Sequence, residues 1–303
     1  MIQVLVLGGM TATGKSELAI QWALAFNGEI ISVDSVGIYR QLNIASAKLS
    51  PAQQQGVVHH GIDVADISTP WSVKEFVDYA RQKIDEIQQR NKLPILVGGS
   101  GLYLKAILYD YEFEKESEAA EGMWDLYTNA QLHALLMEVD PQQAAIIHPN
   151  NRKRVMRALT IAKQHKLTKS EIIAKQKQAL RYDALIFVLD GDRKLLHERI
   201  EKRVDTMLAQ GLQAEVKRAS QIASWTQSSM AAIGVKEWQA YFNETATLEA
   251  TIETIKTKTR QFSKRQRTWF KHQFDGIWLD FNDSEALEAT KQRIKSWIVN
   301  FQE

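Results

Sequence analysis

Eight residues constrain this chain more than any others: Gly9-Met10-Thr11-Ala12-Thr13-Gly14-Lys15-Ser16 satisfies the pattern G-x-x-x-x-G-K-S/T. The run before it, Gln3 to Leu7, is short, aliphatic and β-branched, and it ends in Gly8-Gly9. After it, Ser16 to Phe26 repeats apolar residues at helical spacing through Leu18, Trp22 and Ala25. A glycine-rich turn between a strand and a helix is the context a phosphate-cradling P-loop requires. The glycines let backbone amides close on phosphate oxygens, and the helix amino terminus adds partial positive charge. Lys15 neutralises terminal phosphate and the Ser16 hydroxyl can hold Mg²⁺. A turn that merely contains Gly and Lys would not need both flanks. The motif predicts a substrate carrying a diphosphate or triphosphate.

Further apolar runs end in polar or glycine-rich segments at Glu29 to Val33 (then Asp34-Ser35), Leu93 to Val97 (then Gly98-Gly99-Ser100-Gly101) and Ala184 to Leu189 (then Asp190). Val73 to Gln89 reads as an amphipathic helix with Phe76, Val77, Ala80, Ile84 and Ile87 on one side. Strands alternating with helices predict an α/β fold: a P-loop NTPase-like parallel sheet whose ligands bind beyond the carboxyl ends of the strands. Sheet periodicity stops after about Tyr109. An acidic stretch (Glu112, Glu114, Glu116, Glu118, Glu121) and helical patterns around Leu132 to Val139, Ala144 to Ile147 and Arg154 to Ile161 follow. Residues 1–110 and 183–303 therefore read as one core interrupted by a helical insertion, 111–182, with mostly helix after the returning strand (Lys194 to Leu208, Leu212 to Ile222, Ala250 to Phe270).

Composition excludes several classes. There is no apolar run of the ~20 residues a membrane span needs, and Met1-Ile2-Gln3-Val4 enters a strand pattern at once, so a cytoplasmic protein without a membrane anchor is expected. The absence of cysteine removes disulfides, thiolate catalysis and cysteine-ligated zinc. A net charge of +2 is too small for indiscriminate polyanion binding, so any nucleic-acid reading rests on where cations cluster.

They cluster twice. Arg152, Lys153, Arg154 and Arg157 follow His148-Pro149-Asn150-Asn151 and load a helix start, where the dipole prefers anions. Lys256, Arg260, Lys264, Arg267 and Lys271 recur every three or four residues, opposite a face of Ile255, Thr259, Phe262, Gln266 and Trp269. A solvated face explains either cluster alone; together they favour nucleic acid. Asp34, placed to face the phosphate site, reads as a base or metal ligand, or else as a turn cap. His59-His60 with Asp63 reads as a packed loop before a metal site, since adjacent side chains diverge.

Taken together, these residues resemble the tRNA dimethylallyltransferases over essentially the whole chain. The matching segments are Gly9 to Ser16, Asp34-Ser35 with Tyr39-Arg40, His59-His60 with Ile62-Asp63, Gly98 to Tyr103, and His148-Pro149-Asn150-Asn151 with Arg154 and Arg157. Arg199-Ile200 with Arg203 and Met207, Gly211-Leu212 with Glu215-Val216, Ile233-Gly234 with Lys236-Glu237, and Thr259-Arg260 through Thr268-Trp269-Phe270 follow in order. The resemblance implies transfer of a dimethylallyl group from dimethylallyl diphosphate to N6 of the adenine 3′ of the anticodon, by a monomer using Mg²⁺. It implies that Lys15, Thr11, Ser16 and Arg203 stabilise the departing diphosphate and that Asp34 accepts a proton from the amino group. Ser100 and the segment Asp34-Ser35-Val36-Gly37 would border a flipped-out adenine. Lys153, Arg154, Val155, Met156 and Arg157, with Ile233, Gly234, Val235, Lys236 and Glu237, would hold the anticodon stem-loop.

The chain departs from the family's pattern at Met10 and Val58, each in place of proline, at Gly37 in place of glutamine, at Gly61 in place of leucine, and in its short acidic insertion. Three rival readings are a P-loop small-molecule kinase using Asp190, Arg199 and Arg203, a relative that prenylates free adenine nucleotides, against which the Lys264-Arg265-Gln266 segment argues, and a tRNA-binding relative that has lost catalysis.

Overall fold

Gln3–Gly9 forms β1, buried along nearly its whole length, as expected of a parallel strand covered on both faces. In the computed structural model, which describes residues 1–69, 71–109, 122–175 and 179–299, β1 lies inside a parallel sheet. Its companions are β2 (Gly28–Ser32), β3 (His59–His60), β4 (Leu93–Gly98), β5 (Asp183–Asp190) and β6 (Ile277–Asp280). Among the described residues the sheet order is β3-β2-β4-β1-β5-β6. Register sets Gly8 beside Gly98 and Gly9 beside Leu189, so the P-loop emerges between the ends of β4 and β5.

Helix α1 (Lys15–Ala25) packs Trp22 into the core against Phe187, ring centroids 5.2 Å apart, and the indole N–H donates to Thr290 Oγ1 at 3.0 Å. Helix α2 (Val73–Gln89) buries the five residues its periodicity marks and starts in a reciprocal capping box between Ser72 and Glu75. Helix α3 (Gly101–Leu108) follows β4.

The chain divides into two units, Met1–Leu108 with Leu180–Glu303, and Tyr109–Ala179. The second holds α4 (Asn129–Val139), α5 (Pro141–Ile146), α6 (Arg152–His165) and α7 (Lys169–Lys175). Its own core gathers Trp124, Leu132, Leu136, Ile147, Val155 and Leu159. Buried Asp140 caps α5 through the Gln143 amide (3.1 Å) and holds Ser170 of α7 by both amide and hydroxyl. The acidic residues Glu112, Glu114, Glu116, Glu118 and Glu121 lie outside the described residues.

In the first unit, α8 (Arg193–Ala209), α9 (Leu212–Ile222), α10 (Trp238–Phe242), α11 (Leu248–Gln273) and α12 (Ser284–Val299) follow β5. Helix α11 meets the strand ends: Phe270 packs on Gly8 and Trp269 on Gly101 so closely that a methyl group on either glycine would overlap a ring.

Two strands escape the periodicity argument. His59-His60 is a strand and not a loop, pairing with Ile30 and Ile31; two residues are too few to show alternation. His60 Nε2 meets Glu29 Oε2 at 2.7 Å, and Arg90 and Lys92 bond the same carboxylate. Burial would raise the Glu29 pKa, but the bonds from Arg90, His60 and Lys92 outweigh it and hold it at about 2. β6 carries only four residues and, among the described residues, pairs with β5 alone.

Candidate active site

Gly14 caps α1 in the left-handed conformation, φ 92°, with no side chain accepting from the first-turn amides. The amides of Ala12 to Ser16 donate to no group among the described residues. Open donors at a helix amino terminus form a seat for an anion. Thr13 Oγ1 braces the loop by donating to the Met10 carbonyl at 2.8 Å, and the Lys15 ammonium donates to the same oxygen. Ser16 lies in the first turn of α1, its hydroxyl without a partner among the described residues.

The charges around the loop are unbalanced. Burial, reinforced by the neighbouring Arg203 guanidinium and only partly opposed by Asp34, lowers the Lys15 pKa to about 7. Burial also lowers that of Arg203, which Asp34 pulls the other way. Among the described residues, two cations thus share one desolvated region with a single carboxylate. Such an arrangement is costly alone and is relieved by a polyanion.

Asp34 stands two residues beyond β2. Its Oδ1 accepts from the amides of Val36 (2.7 Å) and Gly37 (3.1 Å), while Oδ2 has no partner among the described residues. The turn-cap and functional readings are therefore compatible: one oxygen orders the Asp34-Ser35-Val36-Gly37 turn and the other stays open. A Cβ on Gly37 would meet only Asp34, at 3.6 Å, so the backbone does not require glycine there. Ser100 immediately precedes α3, and on that helix Tyr103 packs on Phe76 with centroids 5.1 Å apart. Burial, then the proximity of Tyr39 and Asp34, pushes the Tyr103 phenol up to about 12, so it stays neutral.

The other expected site residues divide by exposure. On α6, Lys153 and Arg154 are exposed and Arg157 and Met156 half-buried, whereas Val155 lies in the unit's core. Arg152 bonds the carbonyls of Tyr127 and Trp124, both at 2.7 Å, and so serves the fold. The first turn of α6 carries no acidic residue and no side-chain cap to offset its cations. Lys169 joins them: burial, then Arg154 and Arg157, lowers its pKa. In the first unit Lys236 is exposed and Ile233 half-buried, while Gly234, Val235 and Glu237 are buried or nearly so, Glu237 accepting from the Gly234 amide at 2.8 Å.

The carboxyl-terminal basic stripe is corrected at three of its five positions, while Lys264 and Lys271 are exposed. Lys256 pairs with Asp205 (2.6 Å), Arg260 with Glu201 (2.7 Å) and Glu253 (3.0 Å), and Arg267 with Asp190 (2.7 Å). Asp205, Glu201 and Asp190 come from α8 and β5, which spacing along one helix cannot reveal, whereas Glu253 lies on α11 itself. Arg199 lies 3.9 Å above the Phe281 ring. Asp190 and Arg199, two residues of the kinase reading, are thus engaged structurally.

Comparison with known proteins decides the family. The family model described as IPP transferase matches residues 37–273. A tRNA dimethylallyltransferase of Exiguobacterium is 44% identical over 98% of this chain and 96% of the relative. The chain belongs to the tRNA dimethylallyltransferase family. Among solved structures, the tRNA isopentenylpyrophosphate transferase of Staphylococcus epidermidis matches with TM-score 0.74 and 35% identity over the whole of both chains. A eukaryotic dimethylallyltransferase acting on tRNA matches with TM-score 0.85 and 30% identity, over 99% of this chain and 80% of the other.

In this family member two polar residues organise the site without standing out as site residues in the sequence. Buried Glu215 of α9 accepts from the amides of Asn43, Ile44 and Ala45 at 2.8 to 3.0 Å and pins the loop that follows Asp34. Buried Gln266 of α11 bonds both the P-loop and the β4–α3 loop. The available signal in each case is a polar residue on the apolar face of an amphipathic helix.

Proposed function

We propose that this chain transfers the dimethylallyl group of dimethylallyl diphosphate to N6 of the adenine 3′ of the anticodon in tRNA. The observation that carries the reading is the pair of desolvated cations, Lys15 and Arg203, set against one carboxylate with an open oxygen, Asp34. The P-loop amides and both cations hold the donor diphosphate, with Thr11 at the loop's shoulder. As N6 attacks the first carbon of the donor, the carbon–oxygen bond breaks and diphosphate leaves with its electron pair. Asp34 Oδ2 takes the N6 proton, and Lys15 and Arg203 neutralise charge growing on the leaving group.

Mg²⁺ fits the residues present. The Ser16 hydroxyl, without a partner among the described residues, supplies a single hard oxygen. That suits an ion carried largely by substrate phosphates and water. When bound, it would add charge neutralisation at the diphosphate.

The adenine would leave the loop stack to reach Asp34, bordered by Ser35, Val36, Gly37 and Ser100, at a cost of a few kcal/mol. Lys153, Arg154, Arg157 and Lys236 offer the cations for the anticodon arm, and Lys169 is added to them. No described helix is long and apolar enough to cross a membrane. From the family resemblance, we infer a cytoplasmic monomer.

Incubating the protein with dimethylallyl diphosphate and either an anticodon stem-loop or AMP should give prenyl transfer to the stem-loop alone. Transfer to AMP alone would move the substrate class to free nucleotides, and transfer of labelled phosphate from ATP would replace the reading with a kinase.

A further inference from the structure

We propose that Gln266 is a positioning residue that clamps the donor loop to the acceptor side of the site; this rests on the transfer reaction proposed above. Gln266 is buried on the inner face of α11, 6% exposed. Its Oε1 accepts from the Thr11 amide at 2.9 Å and its Nε2 donates to the Gly99 carbonyl at 3.1 Å. One side-chain amide thereby joins the P-loop, which follows β1, to the loop that carries Ser100, which follows β4. At Gly99 a Cβ would stand 2.2 Å from Gln266 Nε2, so a methyl group there displaces that amide. The neighbouring residues of α11 repeat the theme: Arg267 holds Asp190 at the end of β5, Trp269 covers Gly101 and Phe270 covers Gly8.

The chemistry of the amide explains the residue type. One group must accept from a backbone amide and donate to a backbone carbonyl in a buried space. Glutamine does both while staying uncharged. A glutamate would accept from Thr11 but set a second carboxylate oxygen against the Gly99 carbonyl. A leucine of similar volume would leave both backbone groups unpaired. Transfer between two separately bound substrates depends on their alignment, and a misplacement of about 1 Å can cost about a hundredfold in rate.

The test compares wild type with Gln266→Glu and Gln266→Leu. Prenyl transfer by wild type to an anticodon stem-loop establishes the parent reading on its own; its absence would sink that reading whatever the variants do. Both variants should lower kcat about ten- to hundredfold, with donor and stem-loop Kd values each within about threefold of wild type. Hydrogen exchange at the Thr11 amide should quicken in Gln266→Leu and stay slow in Gln266→Glu. Gly99→Ala, which evicts Gln266, should add no further loss on top of Gln266→Leu. Wild-type kcat in a folded Gln266→Leu would overturn the proposal. So would donor Kd rising in proportion to the lost kcat, which would make Gln266 a donor ligand, or full additivity with Gly99→Ala. Should Gln266→Leu fail to fold, Gln266→Glu decides by the same kcat and Kd criteria.

Discussion

Raising the pH from 7 to 9 should weaken donor binding about fiftyfold, because the free protein loses the Lys15 proton in that interval. The lysine is held near 7 by burial first and by Arg203 second. A bound diphosphate supplies the missing countercharge and returns the pKa toward its ordinary 10.5, so binding selects the protonated form and takes up a proton. The free protein is half protonated at pH 7 and about one-hundredth protonated at pH 9, which gives the factor of about fifty, or ~2.3 kcal/mol. The sign is opposite to that of a lysine stabilised by a partner in the free state: affinity is full below 7 and falls as pH rises through it. The ligand does not produce this trend, since its terminal phosphate loses its last proton near pH 6. Titration calorimetry with dimethylallyl diphosphate and Mg²⁺ in the absence of tRNA measures both Kd and, through buffers of different ionisation enthalpy, the proton taken up. Lys15→Arg, charged throughout, should show a flat Kd over the same interval. Neutralising Arg203 should move the wild-type transition to higher pH. A Kd independent of pH between 7 and 9, or binding without proton uptake, would refute the picture of two unbalanced cations.

Further outcomes follow from individual side chains. Asp34→Ala should lower kcat by about 10² to 10⁴ with little change in donor affinity; an equal loss of donor binding would make Asp34 chiefly a metal ligand. Neutralising Arg154 and Arg157 should reduce the slope of log K against log salt for stem-loop binding by roughly one for each phosphate left without its cation, and an unaltered slope would remove α6 from the tRNA surface. Glu29, with its carboxyl held at about 2 against an ordinary 4.5, contributes stability that is present above pH 4.5 and lost as pH falls toward 2. The stability advantage of wild type over Glu29→Gln should therefore shrink by about 3 kcal/mol across that window in acid unfolding curves; a constant difference would show that Arg90, Lys92 and His60 do not act on this carboxylate.

Legibility in the sequence follows the range of the interactions involved. The P-loop, the inner strands and α2 are set by contiguous patterns, so residue spacing alone brings Phe76, Val77, Ala80, Ile84 and Ile87 to one face, and all five are buried. β3 and β6 are too short to carry a period, and they are strands because of what they pair with. Three cations of the α11 stripe are drawn into the fold for a related reason. Its spacing is real, but Asp205, Glu201 and Asp190 come from α8 and β5, and only the tertiary fold brings them to Lys256, Arg260 and Arg267. Asp34 is legible as a position at a strand end but ambiguous in role, since the geometry gives one oxygen to the turn and leaves the other open. Gln266 falls on the packing face of α11 by spacing alone, so its inward side chain is legible; that it spans Thr11 and Gly99 depends on three segments far apart in the chain.

Mass spectrometry of an anticodon stem-loop after incubation with the purified protein, dimethylallyl diphosphate and Mg²⁺ tests the proposed transfer directly. The expected product carries one dimethylallyl group on N6 of the adenine 3′ of the anticodon, with one diphosphate released per group transferred, and is lost with Asp34→Ala. An unmodified stem-loop with the donor bound and intact, or a modified base at any other position, would contradict the proposed transfer.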